Sequence, residues 1–404
     1  MKNVFVLMLL VLLSACSLPS HHLSNGWWRG VFHVQGTQIP FLFEVSESDS
    51  NYPVVTLVNG EERIELSDVV YRNDSVIIPI KAYDAVMEAK VDGDQMAGRL
   101  VKLYSNRPDG RVPFTAQKGI SPRFDVDERA SVSLDGRWEI TVSERDMARQ
   151  VGVFVQKADG YLTGSILTPT GDYRYLEGTV HGDRFSLSSF GGMTPYLIKG
   201  QFTDTDRFAA EFITPGGSSK FEGVRNPEAS LPDAYTLTTL KPGYSSLGFR
   251  LPDLNNNEVS LEDPKYQGKV VIVSLLGSWC PNCMDETAFL APWYKANRTR
   301  GVEVVGIAFE RKDDIEYARK QLSVLLEHHD VTYDILFAGK VGDETVEKVL
   351  PELTKLMSYP TTFFIDKKGQ VRKIHTGFSG PATGTFYEEF KIGFDQTVSE
   401  LIAE

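Results

Sequence analysis

Two cysteines separated by two residues are the part of this 404-residue sequence best suited to chemistry. Cys280 and Cys283 enclose only Pro281 and Asn282, so a bond between their sulfurs would close a very small loop and stabilise the fold little. Redox chemistry explains such a pair better. Cys280 is the predicted nucleophile, which attacks a disulfide as the thiolate, and Cys283 resolves the resulting mixed disulfide.

A carboxyl group lies close by in the sequence. Glu286 follows Cys283 by three residues on a predicted helix, so the two side chains share one face. A carboxylate there can take the proton from Cys283 during resolution. An exposed helix glutamate without a role is the alternative. The neighbouring Asp285 is expected to point elsewhere and to be solvated.

A strand, a tight turn and a helix are predicted to position the thiols. Val270 to Leu276 is an apolar run typical of strands buried on both faces of a sheet. Gly277 and Ser278 end the strand, and apolar spacing after Cys283 predicts a helix. At a helix start, unpaired N–H groups and the helix dipole favour thiolate over thiol. Pro281 suits the first turn because it has no N–H to leave unpaired.

Longer motifs resemble the thioredoxin fold, and in particular the TlpA/ResA-like thiol-disulfide oxidoreductases. The matching segments are F-R-L-P-D-L, V-S-L, G-K-V-V-I-V, G-S-W-C-P-N-C-M-D-E, Y-P-T-T-F-F-I-D-K-K-G and V-R-K-I-H-T-G. They extend over residues 245–404. The resemblance implies an α/β thioredoxin-like C-terminal domain with a central mixed sheet, helices on both faces and an insertion between 309 and 359. It also implies a protein-disulfide reductase with no cofactor other than its redox-active cysteine pair.

The resemblance further indicates which residues contact the substrate. Pro360 is then a cis proline that faces the cysteines, and Tyr359 before it pairs with substrate backbone. Trp279 is expected to shield the thiols and offer a docking surface, with Pro281 beside it. Members of this family often carry an acidic residue at the position of Glu286.

Other cysteine chemistry fits the sequence less well. A structural zinc site needs two further Cys or His ligands at suitable spacing, and none is evident, so no metal is expected. A peroxiredoxin resembles P-x-x-x-T-x-x-C at its reactive cysteine, but Val273 and Gly277 stand at the Pro and Thr positions. A copper chaperone of the Sco type would need C-x-x-x-C and a histidine just before the final hairpin.

The first residues predict export and a lipid anchor. A positively charged start and the apolar run Val4 to Leu13 have the form of a signal peptide, too short to span a bilayer. Leu13 to Cys16 resembles a lipobox, so residues 1–15 are the predicted signal peptide and Cys16 the predicted lipidated residue. Ser17, where Asp would signal inner-membrane retention, favours the outer membrane, with the protein facing the periplasm. An ordinary secretory signal with an incidental cysteine is the alternative.

Composition limits the possible partners. The chain is 42% hydrophobic and 24% charged, which excludes wholesale disorder. It has 54 Asp and Glu against 42 Lys and Arg, which argues against a nucleic acid partner. If Cys16 carries lipid, only two of the three cysteines remain. By the resemblance, the partners are a disulfide-containing exported protein, a membrane thiol-relay reductant and, through the lipid anchor, the membrane.

Behind a tether at 16–25, residues 26–225 have the short alternating segments and regular turns of an all-β region. The region contains an internal sequence repeat. Residues 26–28 resemble 136–138, residues 73–77 resemble 182–186, and residues 86–91 resemble 197–202. We therefore predict a first β repeat at 26–120 and a second β repeat at 130–225. Two small barrels or sandwiches, or one larger sheet, satisfy this duplicated region. A spacer or docking role is favoured over a lipocalin-like ligand pocket.

Residues 226–246 contain three prolines and little periodicity, and form the predicted linker to a thioredoxin-like domain at 247–404. Strands and helices alternate in that domain, which predicts parallel strand pairs covered on both faces. Five residues with helical spacing predict one helix through Val346, Val349, Leu350, Leu353 and Leu356.

These features together predict a lipid-anchored thiol-disulfide oxidoreductase that reduces disulfides of exported proteins and contributes to redox homeostasis. The direction of electron flow rests on the family resemblance. A different class stays open, namely a ligand- or protein-binding lipoprotein whose thioredoxin-like domain only senses redox state. Folding of the isolated N-terminal region with a bound small molecule would favour that class.

Overall fold

The computed structural model describes residues 22–48, 52–105, 107–119, 122–126, 128–143 and 149–404. The predicted signal peptide, Cys16 and most of the tether lie outside these residues. Within the described ranges, no helix combines the length and the apolar composition that a bilayer crossing requires. The described chain forms two antiparallel β sheets, followed by an α/β domain.

The first β sheet is built from the first half of the all-β region. Its strands are β1 (Gly26–Val34), β2 (Thr37–Glu47), β3 (Pro53–Asn59), β4 (Glu62–Leu66), β5 (Val70–Arg72), β6 (Ser75–Ile80), β7 (Ala85–Asp92), β8 (Gln95–Lys102) and β9 (Arg111–Lys118). Their order in the sheet is β4-β3-β2-β1-β9-β8-β7-β6-β5. Alternate side chains along the strands are buried, and Trp28, Phe32, Phe41 and Phe114 lie in one packed core.

The second β sheet closes on itself. Its strands are β10 (Gly136–Val142), β11 (Arg149–Gln156), β12 (Tyr161–Thr168), β13 (Gly171–Asp172), β14 (Leu176–His181), β15 (Arg184–Ser189), β16 (Tyr196–Asp204), β17 (Arg207–Thr214) and β18 (Gly217–Arg225). Their order is β11-β10-β18-β17-β16-β15-β14-β12-β13, and β11 also pairs with β12. Its interior is again aromatic, with Trp138, Phe185, Phe202 and Phe208 in contact.

The two sheets share one strand order. Because β11 pairs with β12, the second sheet can also be written in the order β13-β12-β11-β10-β18-β17-β16-β15-β14. In this order each strand has the same place in the chain of its half as the corresponding strand of the first sheet. The tryptophans of β1 and β10 occupy equivalent places. The indole N–H of Trp28 donates to the Ser24 carbonyl at 3.0 Å, and that of Trp138 donates to the Leu134 carbonyl at 2.8 Å. The two halves therefore form separate sheets of like topology, not one larger sheet.

The segment between the second sheet and the C-terminal domain is held in place. Residues 226–246 contain no helix or named strand. Thr238 is fully buried, and the N–H of Thr354 donates to the Thr239 carbonyl at 2.9 Å. The predicted linker therefore runs along the surface of the C-terminal domain and packs against it.

The C-terminal domain has a central sheet with helices on both faces. Its elements are β19 (Arg250–Pro252), β20 (Glu258–Ser260), β21 (Val270–Leu276), α1 (Pro281–Asn297), β22 (Val302–Glu310), α2 (Ile315–His329), β23 (Asp334–Lys340), α3 (Asp343–Val349), β24 (Thr361–Ile365), β25 (Val371–Thr376) and α4 (Thr385–Ala403). The sheet order is β23-β22-β21-β24-β25, with parallel pairing of β21, β22 and β23. Side chains of α1, α2 and α4 pack on one face, and those of α3 on the other. The predicted thioredoxin-like architecture is thereby confirmed.

The central strand explains why this sheet forms the core. Every residue of β21 is buried, and its side chains alternate between the clusters on the two faces. The region of the predicted insertion contains α2, β23 and α3. The prediction of a helix through Leu356 is wrong, because α3 ends at Val349. Pro351 cannot donate the hydrogen bond that would continue the helix.

Candidate active site

The turn between β21 and α1 carries both cysteines. Gly277 ends the strand where no side chain fits, because a Cβ would lie 2.8 Å from the Phe309 carbonyl oxygen. Cys280 is the N-cap of α1, and Pro281 follows in its first turn. The Sγ atom of Cys280 accepts a hydrogen bond from the Cys283 N–H at 3.2 Å. The start of the helix therefore favours negative charge on the Cys280 sulfur.

The two sulfurs differ in exposure, and burial acts strongly on Cys283. Cys280 is 5% exposed and Cys283 is fully buried, and both are free thiols. Burial, followed by the hydrogen bond to Cys280 and the charge of that residue, raises the pKa of Cys283 well above its ordinary value. Cys283 is thereby held as a neutral thiol. A base must remove its proton before it can attack a disulfide.

The loop before β24 faces the cysteines. The Tyr359–Pro360 peptide bond is cis, and the Cys280 thiol donates to the Tyr359 carbonyl at 3.4 Å. The Tyr359 and Trp279 rings meet edge to face with their centroids 5.5 Å apart. The Trp279 indole N–H is fixed by the Phe309 carbonyl at 2.8 Å. The fold thus brings Trp279, Cys280 and Tyr359 together, although Cys280 and Tyr359 are 79 residues apart in sequence.

Glu286 is buried on α1, one turn after Cys283. Its side-chain oxygens accept hydrogen bonds from Ser274 Oγ at 2.5 Å and from Thr362 Oγ1 at 2.6 Å. Burial raises the pKa of Glu286 to about 7, against the opposing effect of the two hydroxyls. The alternative of an exposed helix glutamate is wrong, since the residue is 3% exposed. Among the described residues no hydrogen bond joins this carboxyl to either sulfur, so a proton passing between them needs a bridging water or a side-chain rotation.

A second buried carboxyl group supports the turn, and sequence reasoning missed it. Glu310, at the end of β22, is fully buried and accepts hydrogen bonds from the Ser278 N–H at 2.9 Å and the Ser278 hydroxyl at 2.8 Å. Burial raises the pKa of Glu310. These two bonds hold the residues just before Cys280. No local pattern in the sequence marks Glu310, because its strand also carries Glu303 and its partner Ser278 lies 32 residues away.

The second β sheet contacts the active-site helix through Arg174. Its guanidinium lies 2.8 Å from the Asp285 carboxylate and 2.9 Å from that of Glu62, and it also donates to Tyr83 Oη at 3.1 Å. The prediction of a solvated Asp285 is wrong, because its side chain is only 13% exposed in this contact. Burial raises the pKa of Asp285 to about 7, although Arg174 lowers it. The sequence separation of 111 residues hid this pair.

The residues at and before β13 lie directly on the redox turn. The Asn282 side chain donates to the Asp172 carbonyl at 3.4 Å, and the Asp172 carboxylate accepts from the Gly380 N–H at 2.6 Å. The Ser358 hydroxyl donates to the Thr170 carbonyl at 2.9 Å, just before the cis proline. The second sheet therefore touches both the Cys-Pro-Asn-Cys turn and the proline loop.

The first β sheet reaches the same region from another side. The guanidinium carbon of Arg311 lies 3.4 Å from the centroid of the Tyr104 ring and 5.7 Å from that of Trp279. Tyr317 donates through its hydroxyl to Asp84 at 3.3 Å. The active site is thus surrounded by all three parts of the described chain. In those parts, no three His, Cys, Asp or Glu side chains are grouped as a metal site requires.

The match to a known protein family lies in the C-terminal domain. Residues 242–374 match the AhpC/TSA family. The thioredoxin-like protein YneN of Bacillus subtilis (strain 168) is 30% identical over 138 residues, which are 34% of this chain and 73% of that protein. The thiol-disulfide oxidoreductase ResA of Geobacillus kaustophilus (strain HTA426) is 28% identical over 140 residues, 35% of this chain and 72% of ResA.

Solved structures are similar to part of this chain. The crystal structure of a putative thiol:disulfide interchange protein DsbE from Chlorobium tepidum has 24% sequence identity and a TM-score of 0.31, and covers 41% of this chain and 99% of its own. The YneN and ResA matches span more than two thirds of those proteins. The chain belongs to the TlpA/ResA-like family of thioredoxin-fold thiol-disulfide oxidoreductases and is an oxidoreductase of that type.

Proposed function

We propose that the protein reduces disulfide bonds of exported proteins through its Cys-Pro-Asn-Cys turn. The observation that carries this proposal is the position of Cys280 as the N-cap of α1, where its sulfur accepts the Cys283 N–H at 3.2 Å. This arrangement favours the thiolate of one cysteine and keeps the second as a buried thiol. A nucleophile and a resolving thiol are what a mixed-disulfide mechanism needs.

The proposed reaction has two exchange steps. The Cys280 thiolate attacks one sulfur of the substrate disulfide, that S–S bond breaks, and one substrate cysteine leaves as a thiolate that takes a proton. Cys283 then loses its proton and attacks Cys280 Sγ, which releases the second substrate cysteine. Two electrons pass to the substrate, and Cys280 and Cys283 become a disulfide. A thiol relay in the membrane supplies electrons to restore the dithiol.

Glu286 is the proposed base for the second step. The pKa of Cys283 is raised by burial, so its proton needs an acceptor, and the pKa of Glu286 is about 7. Trp279, Pro281, Tyr359 and Pro360 form the surface proposed to contact substrate. The contacts among Trp279, Tyr359 and Cys280 support this assignment.

The β region is proposed to dock the redox domain and hold it at a distance from the membrane. Identical strand order and the matching hydrogen bonds of Trp28 and Trp138 support an origin by duplication of one β unit. Large buried side chains fill the interiors of both sheets, which favours docking over capture of a ligand inside either one. The lipobox-like residues before Cys16 support anchoring by lipid in a bacterial membrane, facing the periplasm, with Ser17 favouring the outer membrane.

The reduction potential of the Cys280–Cys283 pair tests the proposed direction. Residues 17–404 would be equilibrated with dithiothreitol or glutathione buffers and the thiols counted by alkylation. A potential near that of thioredoxin, about −270 mV, is expected for a reductase. A potential near about −120 mV would assign the opposite role, the formation of disulfides. Absence of any reversible transition would overturn the redox function itself.

A further inference from the structure

A cavity of about 330 Å³ lies between the second β sheet and the redox turn. Its volume is within the range of about 300–1,000 Å³ typical of ligand sites. Its apolar walls come from both sides of the domain boundary and include Tyr83, Tyr173, Met193, Tyr196, Phe212 and Pro281. Tyr173, Tyr196 and Phe212 pack against the interior core of the second sheet, so the cavity lies at the end of that core that faces the redox turn.

Three aromatic rings form one wall of the cavity. The centroid of Tyr173 is 5.2 Å from that of Phe212 and 6.0 Å from that of Tyr196, and the Tyr196 and Phe212 centroids are 5.5 Å apart. The Tyr196 hydroxyl is already bonded to the Tyr173 carbonyl, and Gln150 donates to the Tyr173 hydroxyl at 3.4 Å. The polar ends of the two tyrosines are therefore occupied. What the rings offer to a ligand is mainly apolar surface.

The opposite wall belongs to the redox turn. Pro281 and Asn282 line the cavity, and they are the two residues between the cysteines. In the mixed disulfide the substrate chain is joined to Cys280 Sγ, next to Pro281. Neighbouring residues of an extended chain are spaced by about 3.3–3.6 Å, so a side chain one or two residues from the substrate cysteine lies within about 7 Å of that cysteine along the chain.

One polar group at the edge of the cavity is unpaired. The Nε atom of Arg174 is buried and has no acceptor among the described residues, although the rest of the guanidinium is held by Asp285, Glu62 and Tyr83. Because this Nε atom is buried from solvent, a substrate carbonyl can accept its N–H only after the Arg174 side chain moves.

We propose that this cavity is a substrate subsite for a bulky apolar side chain, aromatic or long aliphatic, within two residues of the disulfide-bonded cysteine. The substrate is then an extended or unfolded segment of an exported protein. This inference rests on the proposed function and adds a determinant of specificity supplied by the β region. A thioredoxin-like domain alone lacks the wall formed by Tyr173, Tyr196 and Phe212.

The test compares two short peptide disulfides that are identical except for Phe or Gly beside the cysteine. For the wild-type chain, kcat/KM for the Phe peptide is expected to exceed that for the Gly peptide about tenfold or more. Met193→Trp fills the cavity and is expected to bring this ratio close to one. Val155→Trp, at a position 60% exposed on β11, is the matched control and is expected to keep the wild-type ratio.

A second variant tests the subsite even if Met193→Trp does not fold. Met193→Ala enlarges the cavity and is expected to shift the preference from a Phe to a Trp peptide. Equal kcat/KM for the Phe and Gly peptides in the wild type overturns the subsite, as does an unchanged ratio in a folded Met193→Trp chain. If the wild type reduces neither peptide and shows no reversible dithiol potential, the proposed function fails instead.

Discussion

At the scale of one residue, Glu286 is expected to set the pH dependence of the step in which Cys283 resolves the mixed disulfide. Its pKa near 7 means that it loses its proton across the neutral range, and a base acts only when deprotonated. The rate at which Cys283 resolves the mixed disulfide is therefore expected to rise with pH through about 7. Glu286→Gln keeps partners for Ser274 and Thr362 but cannot take a proton. We expect it to slow resolution about a hundredfold at pH 8.

Stopped-flow release of the second substrate thiol measures this step. Glu389→Gln, an exposed position on α4, is the control and is expected to match the wild type. The same pH profile and rate in Glu286→Gln would exclude Glu286 as the base.

The same carboxyl group links stability to pH. Its folded pKa of about 7 lies above the ordinary value of 4.5, so the folded state holds a proton that the unfolded state releases. The stabilisation is complete below about pH 4.5 and is lost as pH rises through about 7. The difference corresponds to about 3 kcal/mol.

Urea unfolding at pH 5 and pH 8 measures this linkage. The wild type is expected to lose more stability between the two pH values than Glu286→Gln does, by about 3 kcal/mol. Equal losses in the two chains would show that Glu286 ionises normally in the folded state. Asp285, whose pKa is also near 7, titrates in the same direction in both chains and cancels in the comparison.

Sequence reasoning finds those site residues that carry a local pattern. Cys280, Cys283 and Pro360 are marked by short motifs, and Glu286 by its helical spacing from Cys283. Glu310 and Arg174 have no such mark, because their partners are 32 and 111 residues away. Long-range hydrogen bonds and ion pairs leave no periodic trace in a single sequence.

At the scale of elements, the contact between the second sheet and α1 depends on Arg174. Arg174→Met would leave the Asp285 and Glu62 carboxyl groups buried without their cation, and breaking a buried pair costs about 3–5 kcal/mol. We expect weaker docking of the sheet on the redox turn. Cys280, 5% exposed in the docked form, should then react faster with iodoacetamide.

Mass spectrometry of the alkylated chain gives the rate at each cysteine. Arg184→Met is the matched control, because the pair that Arg184 forms with Asp183 is exposed to solvent. An alkylation rate of Cys280 that does not change in Arg174→Met would mean that docking does not depend on this ion pair.

Element boundaries were predictable where the residues themselves set them. The apolar run of β21 and the position of Pro281 in the first turn of α1 lie where the pattern placed them, since strand burial and the preference of proline for a helix start are local properties. The end of α3 was missed because apolar spacing continues to Leu356 while Pro351 stops the helix. The pairing of strands within each β sheet also escaped prediction, because it is set by contacts distant in sequence.

At the scale of the whole molecule, one arginine joins the two sheets. Arg123 lies on the segment between β9 and β10, and its side chain is 2% exposed. It pairs with Glu177 at 3.2 Å and donates to Ser188 Oγ at 3.2 Å and to Asn59 Oδ1 at 3.3 Å. These partners belong to both sheets, so this buried side chain helps to fix their relative position, as does the hydrogen bond from the Asn59 side chain to the Phe190 carbonyl.

Arg123→Met is expected to destabilise the chain by about 3–5 kcal/mol, because it leaves the Glu177 carboxylate buried and unpaired. Urea unfolding followed by tryptophan fluorescence measures this, since Trp28 and Trp138 report on the two sheets. Arg129→Met, outside this network, is the control. A loss below about 1 kcal/mol would show that the sheets are held together by other contacts.

Asn282 illustrates a consequence for how such proteins diverge. A Cβ on Gly171 would lie 2.5 Å from the Asn282 Oδ1 atom, so the residue between the cysteines and the β13 glycine occupy one shared space. In a thioredoxin-like domain without a β region, the two residues between the cysteines can be substituted without a steric constraint from a neighbouring domain. Here a larger residue at either position demands a smaller or reoriented one at the other. Positions 171 and 282 are therefore expected to covary among homologues that keep both domains, and to lose that correlation where the β region is absent.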